Sequence, residues 1–135
     1  CTTYIFIARI CSCTTLQDID TFLKNHRPYI SLIPSTPKHV PHILAHEPAQ
    51  PQTQPTADGF TPAILDVSLV DEVVEVSDED AIETTRELGR KYGLLVGISS
   101  GANVWAARQM ARKIAGNVAT VLPDRAERYF STALM

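Results

Sequence analysis

Ser99-Ser100-Gly101 lies between an apolar run and a helix-like stretch, and its hydroxyls have two possible uses. A serine at such a junction caps the amides of a starting helix, or it offers its hydroxyl to a ligand held there. Spacing alone favours the cap. Lysine is the residue type that forms Schiff bases, and the chain has four: Lys24, Lys38, Lys91 and Lys113. Cys1, Cys11 and Cys13 raise the question of a metal, but no fourth ligand stands at zinc-type spacing, so they read as loop residues. His39, His42 and His46 could bring three imidazoles to a metal only on a helix, and Pro41 and Pro48 oppose one. The expected metal set is therefore none.

The elements that must position these residues read as α/β. Tyr4–Ile10 is an apolar run suited to a buried strand. Thr15–Asn25 carries Leu16, Ile19, Phe22 and Leu23 at the spacing of one helix face. Ile30–Ile33 and Val73–Val76 are short strand candidates. Ser77 is a good N-cap before Asp78-Glu79-Asp80, whose charges suit the positive end of a helix. That helix turns Ala81, Ile82, Thr85 and Leu88 inward, with Lys91 near its end and Gly93 past it. Leu94–Ile98 reads as a strand. A second helix follows over about 102–115, with Val104, Trp105, Met110 and Ile114 inward and Gly116 closing it. Val118–Leu122 is the last strand. Alternating strands and helices predict a parallel sheet with crossover helices.

Glycine and proline divide the chain. None of the six glycines precedes Gly59, whereas eight of the nine prolines lie between Pro28 and Pro62. A glycine-free stretch is poor material for tight ligand loops. Three regions are expected: residues 1–33, a strand–loop–helix–strand; residues 34–58, a Pro-rich loop or partly disordered segment; and residues 59–135, an α/β portion. The 135 residues suffice for one core. A net charge of −3 and a pI near 5.7 argue against nucleic-acid and anionic-membrane partners. No apolar run is long enough to span a bilayer. Three cysteines near one end make a poor disulfide framework, which points to a reducing, cytoplasmic compartment. The chain begins at Cys1 without the order of a signal peptide, which is compatible with an upstream segment.

The run Gly93-Leu94-Leu95-Val96-Gly97-Ile98-Ser99-Ser100-Gly101-Ala102 resembles the segment GLLVGISSGA of cysteine synthases. Leu122-Pro123-Asp124-Arg125-Ala126-Glu127-Arg128-Tyr129-Phe130-Ser131-Thr132 is similar to that family's closing LPDSGERYLST, with Arg125 and Ala126 in place of Ser and Gly. Gly59-Phe60-Thr61-Pro62, Leu69–Val73 and Val76–Ala81 also match, so the likeness covers residues 59–135 almost without gaps. Residues 5–24 align with the family's IFVAGIGTGGTLTGVGRFLK, but every glycine there is replaced. Of a second glycine stretch, falling on residues 52–60, only Gly59 remains.

The resemblance implies the C-terminal part of a fold-type II, tryptophan synthase beta-like enzyme that uses pyridoxal phosphate. An intact relative makes cysteine from O-acetylserine and sulfide by β-replacement. It further implies that Ser99 hydrogen-bonds the pyridine nitrogen, and that Cys11, Ser12, Cys13, Thr14 and Thr15 occupy the place of the phosphate loop. Side chains at Cys11, Cys13 and Thr14 obstruct that loop, although Ser12 and Thr15 keep hydroxyls. None of the four lysines lies in anything like the family's lysine motif, so the expected catalytic set is none and the cofactor is not expected to bind this chain alone. Three readings stay open: a truncated, inactive relative; a binding or regulatory module that pairs with an intact synthase or with itself; and one segment of a working enzyme whose first half lies elsewhere.

Overall fold

A computed structural model describes residues 3–9, 18, 21, 22, 25, 26, 30–37 and 70–129. Four strands form one sheet: β1 (Thr3–Arg9), β2 (Ile30–Pro37), β3 (Val74–Val76) and β4 (Gly116–Thr120), in the order β3-β2-β1-β4. All three pairings are parallel. Two helices, α1 (Asp78–Tyr92) and α2 (Ile98–Lys113), join β3 to β4, and a 3-10 turn spans Ala126–Tyr129. The α/β class and the parallel sheet are as the alternation of elements predicts.

Burial explains the composition of the central strands. Ile5, Phe6, Ile7 and Ala8 are all buried, as are Leu32, Ile33, Pro34, Ser35 and Thr36. A parallel strand covered on both faces has no exposed alternation to show in its sequence. Ile5, Ile7 and Ile33 gather with Val74, Val76, Ala81, Ala102, Ala106 and Met110 into one cluster beneath α2. Ile98, Trp105, Ile114 and Val118 pack around its margin. Hydrophobic burial of this kind is the main driving force for the fold.

Helix α1 is specified locally. Ser77 Oγ accepts the Asp80 amide at 3.1 Å and donates to Asp80 Oδ2 at 2.6 Å, which closes the N-terminus reciprocally. Gly93 ends the helix at φ 67°, a left-handed conformation that glycine adopts without strain, and its amide reaches the Gly89 carbonyl. Ala81, Thr84, Thr85 and Leu88 are the buried residues. Ile82 is only half-buried, and Thr84 takes the inward position instead.

Several expectations are corrected. β2 runs on to Pro37 rather than ending at Ile33. Leu32 directs its amide and carbonyl towards Asp71, so alternation points Pro34 to that same side. The ladder with β3 begins only at Ser35–Val74, so the donor that Pro34 lacks is not needed there. Leu94–Ile98 is not a strand. Its pairing is a single antiparallel bridge, Val96–Arg125, and Leu95 is 75% exposed. β4 occupies the place beside β1, and an apolar run without a neighbouring strand forms no ladder. α2 starts at Ile98, four residues before the expected boundary, and ends before Gly116, which instead opens β4. β4 itself lies two residues earlier than Val118–Leu122. Phe22 belongs to a helical stretch but is 62% exposed, stacking on His26 with ring centroids 4.4 Å apart.

Candidate functional site

Crossover geometry places the N-terminus of α2 at the C-terminal edge of the sheet, where open α/β folds bind ligands. Asn103, in the second turn of α2, marks this end. It is fully buried, accepts the Ser35 hydroxyl at 2.9 Å and donates to the Val121 carbonyl at 3.0 Å. Ser35 lies near the end of β2 and Val121 directly follows β4, so one amide side chain joins two strand ends to the helix.

Packing brings α2 close to α1. A Cβ at Gly101 would overlap the Thr85 hydroxyl and the Ala81 carbonyl oxygen. In the space that glycine leaves, Thr85 Oγ1 lies 2.8 Å from the Ala81 oxygen and 3.2 Å from that of Gly97, a donor shared between two acceptors. Farther along the helices, Arg108 donates to Glu87 at 2.5 Å and Lys91 reaches the same carboxylate at 3.0 Å. These cations hold the Glu87 carboxyl down at about 2.

The first turn of α2 contains Ser99, Ser100 and Gly101. The N-cap is Gly97, which has no side chain to offer, so the expected serine cap is absent. Asp124 takes that role from 25 residues away in sequence. Its Oδ2 accepts the Ser99 amide at 2.9 Å and the Tyr129 hydroxyl at 2.7 Å. Its Oδ1 accepts the Ser100 amide at 2.8 Å and the Ser100 hydroxyl at 2.5 Å. The Gly97 amide donates to the Asp124 carbonyl at 3.0 Å. Burial pushes the Asp124 carboxyl up. The hydroxyls of Ser100 and Tyr129 and the amides of Ser99 and Ser100 outweigh it, and the group sits below the ordinary aspartate range.

Ser99 is half-buried in this turn. Lys91 and Lys113 lie elsewhere. Lys91 is exposed on α1 and Lys113 is paired with Glu72 at 3.3 Å. From Ser99 to Lys113 the axis of α2 runs roughly 20 Å, at 1.5 Å per residue. Lys24, Lys38, the Cys11–Thr15 stretch, Cys1 and His39, His42 and His46 lie outside the described residues. Among the described residues no group of three or more His, Cys, Asp or Glu could hold a metal, and no helix is long and apolar enough to cross a membrane. Reading the sequence singled out Ser99, turned Thr85 inward and placed Asp124 and Tyr129 in the closing run without a role, but missed Asn103. The acidic residue after Pro123, in a chain segment that follows an apolar strand, is the one local signal that could have drawn attention to Asp124.

Comparisons with known proteins bear on what this turn serves. Residues 6–124 match the family model for the pyridoxal-phosphate dependent enzyme. Cysteine synthase B of Campylobacter jejuni is 40% identical over 131 residues, which is 96% of this chain and 44% of that protein. A cysteine synthase of Staphylococcus aureus is 34% identical over 131 residues, covering 96% of this chain and 42% of its own. Among solved structures, an O-ureido-L-serine synthase superposes with a TM-score of 0.83 at 31% identity, over 98% of this chain and 42% of the other. An O-acetylserine dependent cystathionine beta-synthase from Helicobacter pylori gives 0.80 at 34% identity, over 98% and 44%. The chain thus spans less than half the length of these relatives.

Proposed function

Because the chain belongs to the family of pyridoxal-phosphate dependent enzymes, we propose that it forms the pyridine-nitrogen side of a cysteine synthase-type site and does not complete β-replacement by itself. The observation that carries this reading is the placement of Ser99, in the first turn of a helix whose N-terminus meets the C-terminal edge of a parallel sheet. A hydroxyl there suits the ring nitrogen of the cofactor as a neutral hydrogen-bond partner. Pyridoxal phosphate, when bound, supplies the electron sink for chemistry at the α- and β-carbons of an amino acid.

The described residues fit this contact and not the covalent attachment. Lys91 and Lys113 are engaged on the surface away from Ser99. Cys11, Ser12, Cys13, Thr14 and Thr15, which by resemblance stand at the place of the phosphate loop, lack the glycines that would let backbone amides approach a phosphate. The resemblance to cysteine synthases suggests O-acetylserine and sulfide as the substrates of a complete enzyme of this type. Among the described residues neither Lys91 nor Lys113 is placed to form a Schiff base or to act as a base for the α-proton beside Ser99.

A second reading is favoured by a specific feature. Among the described residues β4 pairs only with β1, and Leu94, Leu95 and Leu122 expose large apolar side chains. A module with such surface could pair with an intact cysteine synthase or with a second copy. Titration of the purified chain with pyridoxal phosphate, followed by absorbance and borohydride trapping, tests the first reading. No lysine-linked adduct in a folded chain is expected. A stoichiometric adduct would show that Lys24, Lys38, Lys91 or Lys113 has taken the role, and the reading would be wrong. Co-purification with an intact synthase tests the second.

A further inference from the structure

We propose that Asp124 is the positioning residue for Ser99: its carboxylate, buried across the N-terminus of α2, sets the first helical turn and so where the Ser99 hydroxyl is offered. The inference rests on the reading that Ser99 faces the cofactor ring.

A helix start leaves amides without intrahelical partners and carries partial positive charge. The residue before a helix normally answers both needs, but Gly97 has no side chain with which to do so. Glycine is required there for another reason. A Cβ at position 97 would overlap the Asp124 carboxylate and the Tyr129 ring. The sequence therefore gives up a local cap and admits a distant one. The two oxygens divide the work: Oδ2 holds the Ser99 amide and Oδ1 holds both groups of Ser100. Tyr129 fixes Oδ2 from the other side, and the Gly97 amide grips the Asp124 backbone. Moving the carboxylate therefore moves the backbone of Ser99 directly.

Two consequences follow. The anion position of this helix is filled by the protein's own carboxylate, so a cofactor phosphate is not seated there. The carboxylate beside Ser99 is held by four uncharged donors, which keep it ionised and fixed in place.

The test begins with the unaltered chain. Amide resonances of Ser99 and Ser100 are followed by NMR against pH. Among the described residues the titratable group hydrogen-bonded to Asp124 is Tyr129 from the 3-10 turn; α2 presents amides and the Ser100 hydroxyl, and the preceding link presents Gly97. Both amides are expected to move together with one midpoint, below that of an ordinary aspartate. Asp124→Gly opens a carboxylate-sized site, and formate is expected to raise its melting temperature saturably while leaving the unaltered chain unmoved. Asp124→Asn, which keeps shape and loses charge, is expected to lose the shared titration. Amides that do not respond to pH in that range, or a folded Asp124→Gly indifferent to formate, would overturn the proposal.

Ser99→Ala separates this from the reading beneath it. It is expected to keep the amide titration and to weaken binding of pyridoxine, a ring probe at high concentration that needs neither a lysine nor a phosphate loop. Asp124→Asn should weaken the same binding, and the double variant should be no worse than Ser99→Ala alone. If Ser99→Ala leaves probe binding unchanged, or the probe does not bind, while titration and formate rescue persist, the Ser99 reading fails and takes the positioning role with it. The anchor at the helix start then stands as structure only.

Discussion

Replacing Gly101 by alanine sets two effects against each other, and the packing of α1 on α2 decides the sign. In a helix alanine is preferred to glycine by about 1 kcal/mol, so propensity alone predicts a more stable protein. An added Cβ at position 101 would overlap the Thr85 hydroxyl and the Ala81 carbonyl oxygen, and would lie 3.0 Å from the Thr85 amide nitrogen. Two of these three atoms are backbone and cannot rotate aside, so the helices must separate. Overpacking of this kind costs about 1–3 kcal/mol. Disturbing the Thr85 hydroxyl, 2.8 Å from the Ala81 oxygen and 3.2 Å from that of Gly97, costs about 1 kcal/mol more. The balance is a loss of roughly 1–3 kcal/mol, or about 4–12 °C in melting temperature for a domain of this size. Gly89 in α1 is the internal control. Its nearest atoms to an added Cβ are the Leu94 oxygen at 3.9 Å and Leu95 Cδ2 at 4.0 Å, both ordinary contacts. Gly89→Ala should therefore gain up to about 1 kcal/mol. Urea unfolding followed by far-UV circular dichroism measures both, provided the slopes agree. If Gly101→Ala stabilises the chain as Gly89→Ala does, the close approach of the helices is not what the glycine serves, and the reasoning fails.

Other substitutions probe the remaining contacts. Ser77→Ala removes the reciprocal cap of α1 and should cost about 1 kcal/mol in the same urea experiment. Asn103→Ala leaves the buried Ser35 hydroxyl and the Val121 carbonyl without their partner, at a cost of about 2–4 kcal/mol. Adding Ser35→Ala should recover part of that loss, because one stranded donor is gone. Glu87→Gln tests the tie between α1 and α2. The Glu87 carboxyl is lowered to about 2, so its contribution is full above the unfolded value near 4.5 and is lost as pH falls towards 2. The variant should lack that part of the acid dependence, and its difference from the parent should shrink in high salt. A difference that persists unchanged at low pH and in molar salt would rule out an electrostatic tie.

What was legible in the sequence followed from how local each cause is. The cap at Ser77, the acids behind it and the left-handed Gly93 act within a few residues of themselves, and α1 appears with those boundaries. The buried run of β1 and the alternation of strands and helices carry the α/β class, because period and composition report it directly. The runs at residues 93–102 and 122–132 carry the family and bring Ser99 forward. The remainder depends on which segments meet. Leu94–Ile98 has strand composition, yet becomes a link because β4 takes the place beside β1. Phe22 has helix-face spacing, yet is exposed because spacing does not say which face meets the sheet. Gly101 reads as a turn residue and is instead the contact between two helices. Asp124 reads as part of a closing motif and caps a helix that begins 26 residues earlier. A hydrogen bond across that separation leaves no periodicity behind it. Only the folded chain, by bringing the segment after β4 back over the start of α2, makes a carboxylate and two serine amides neighbours.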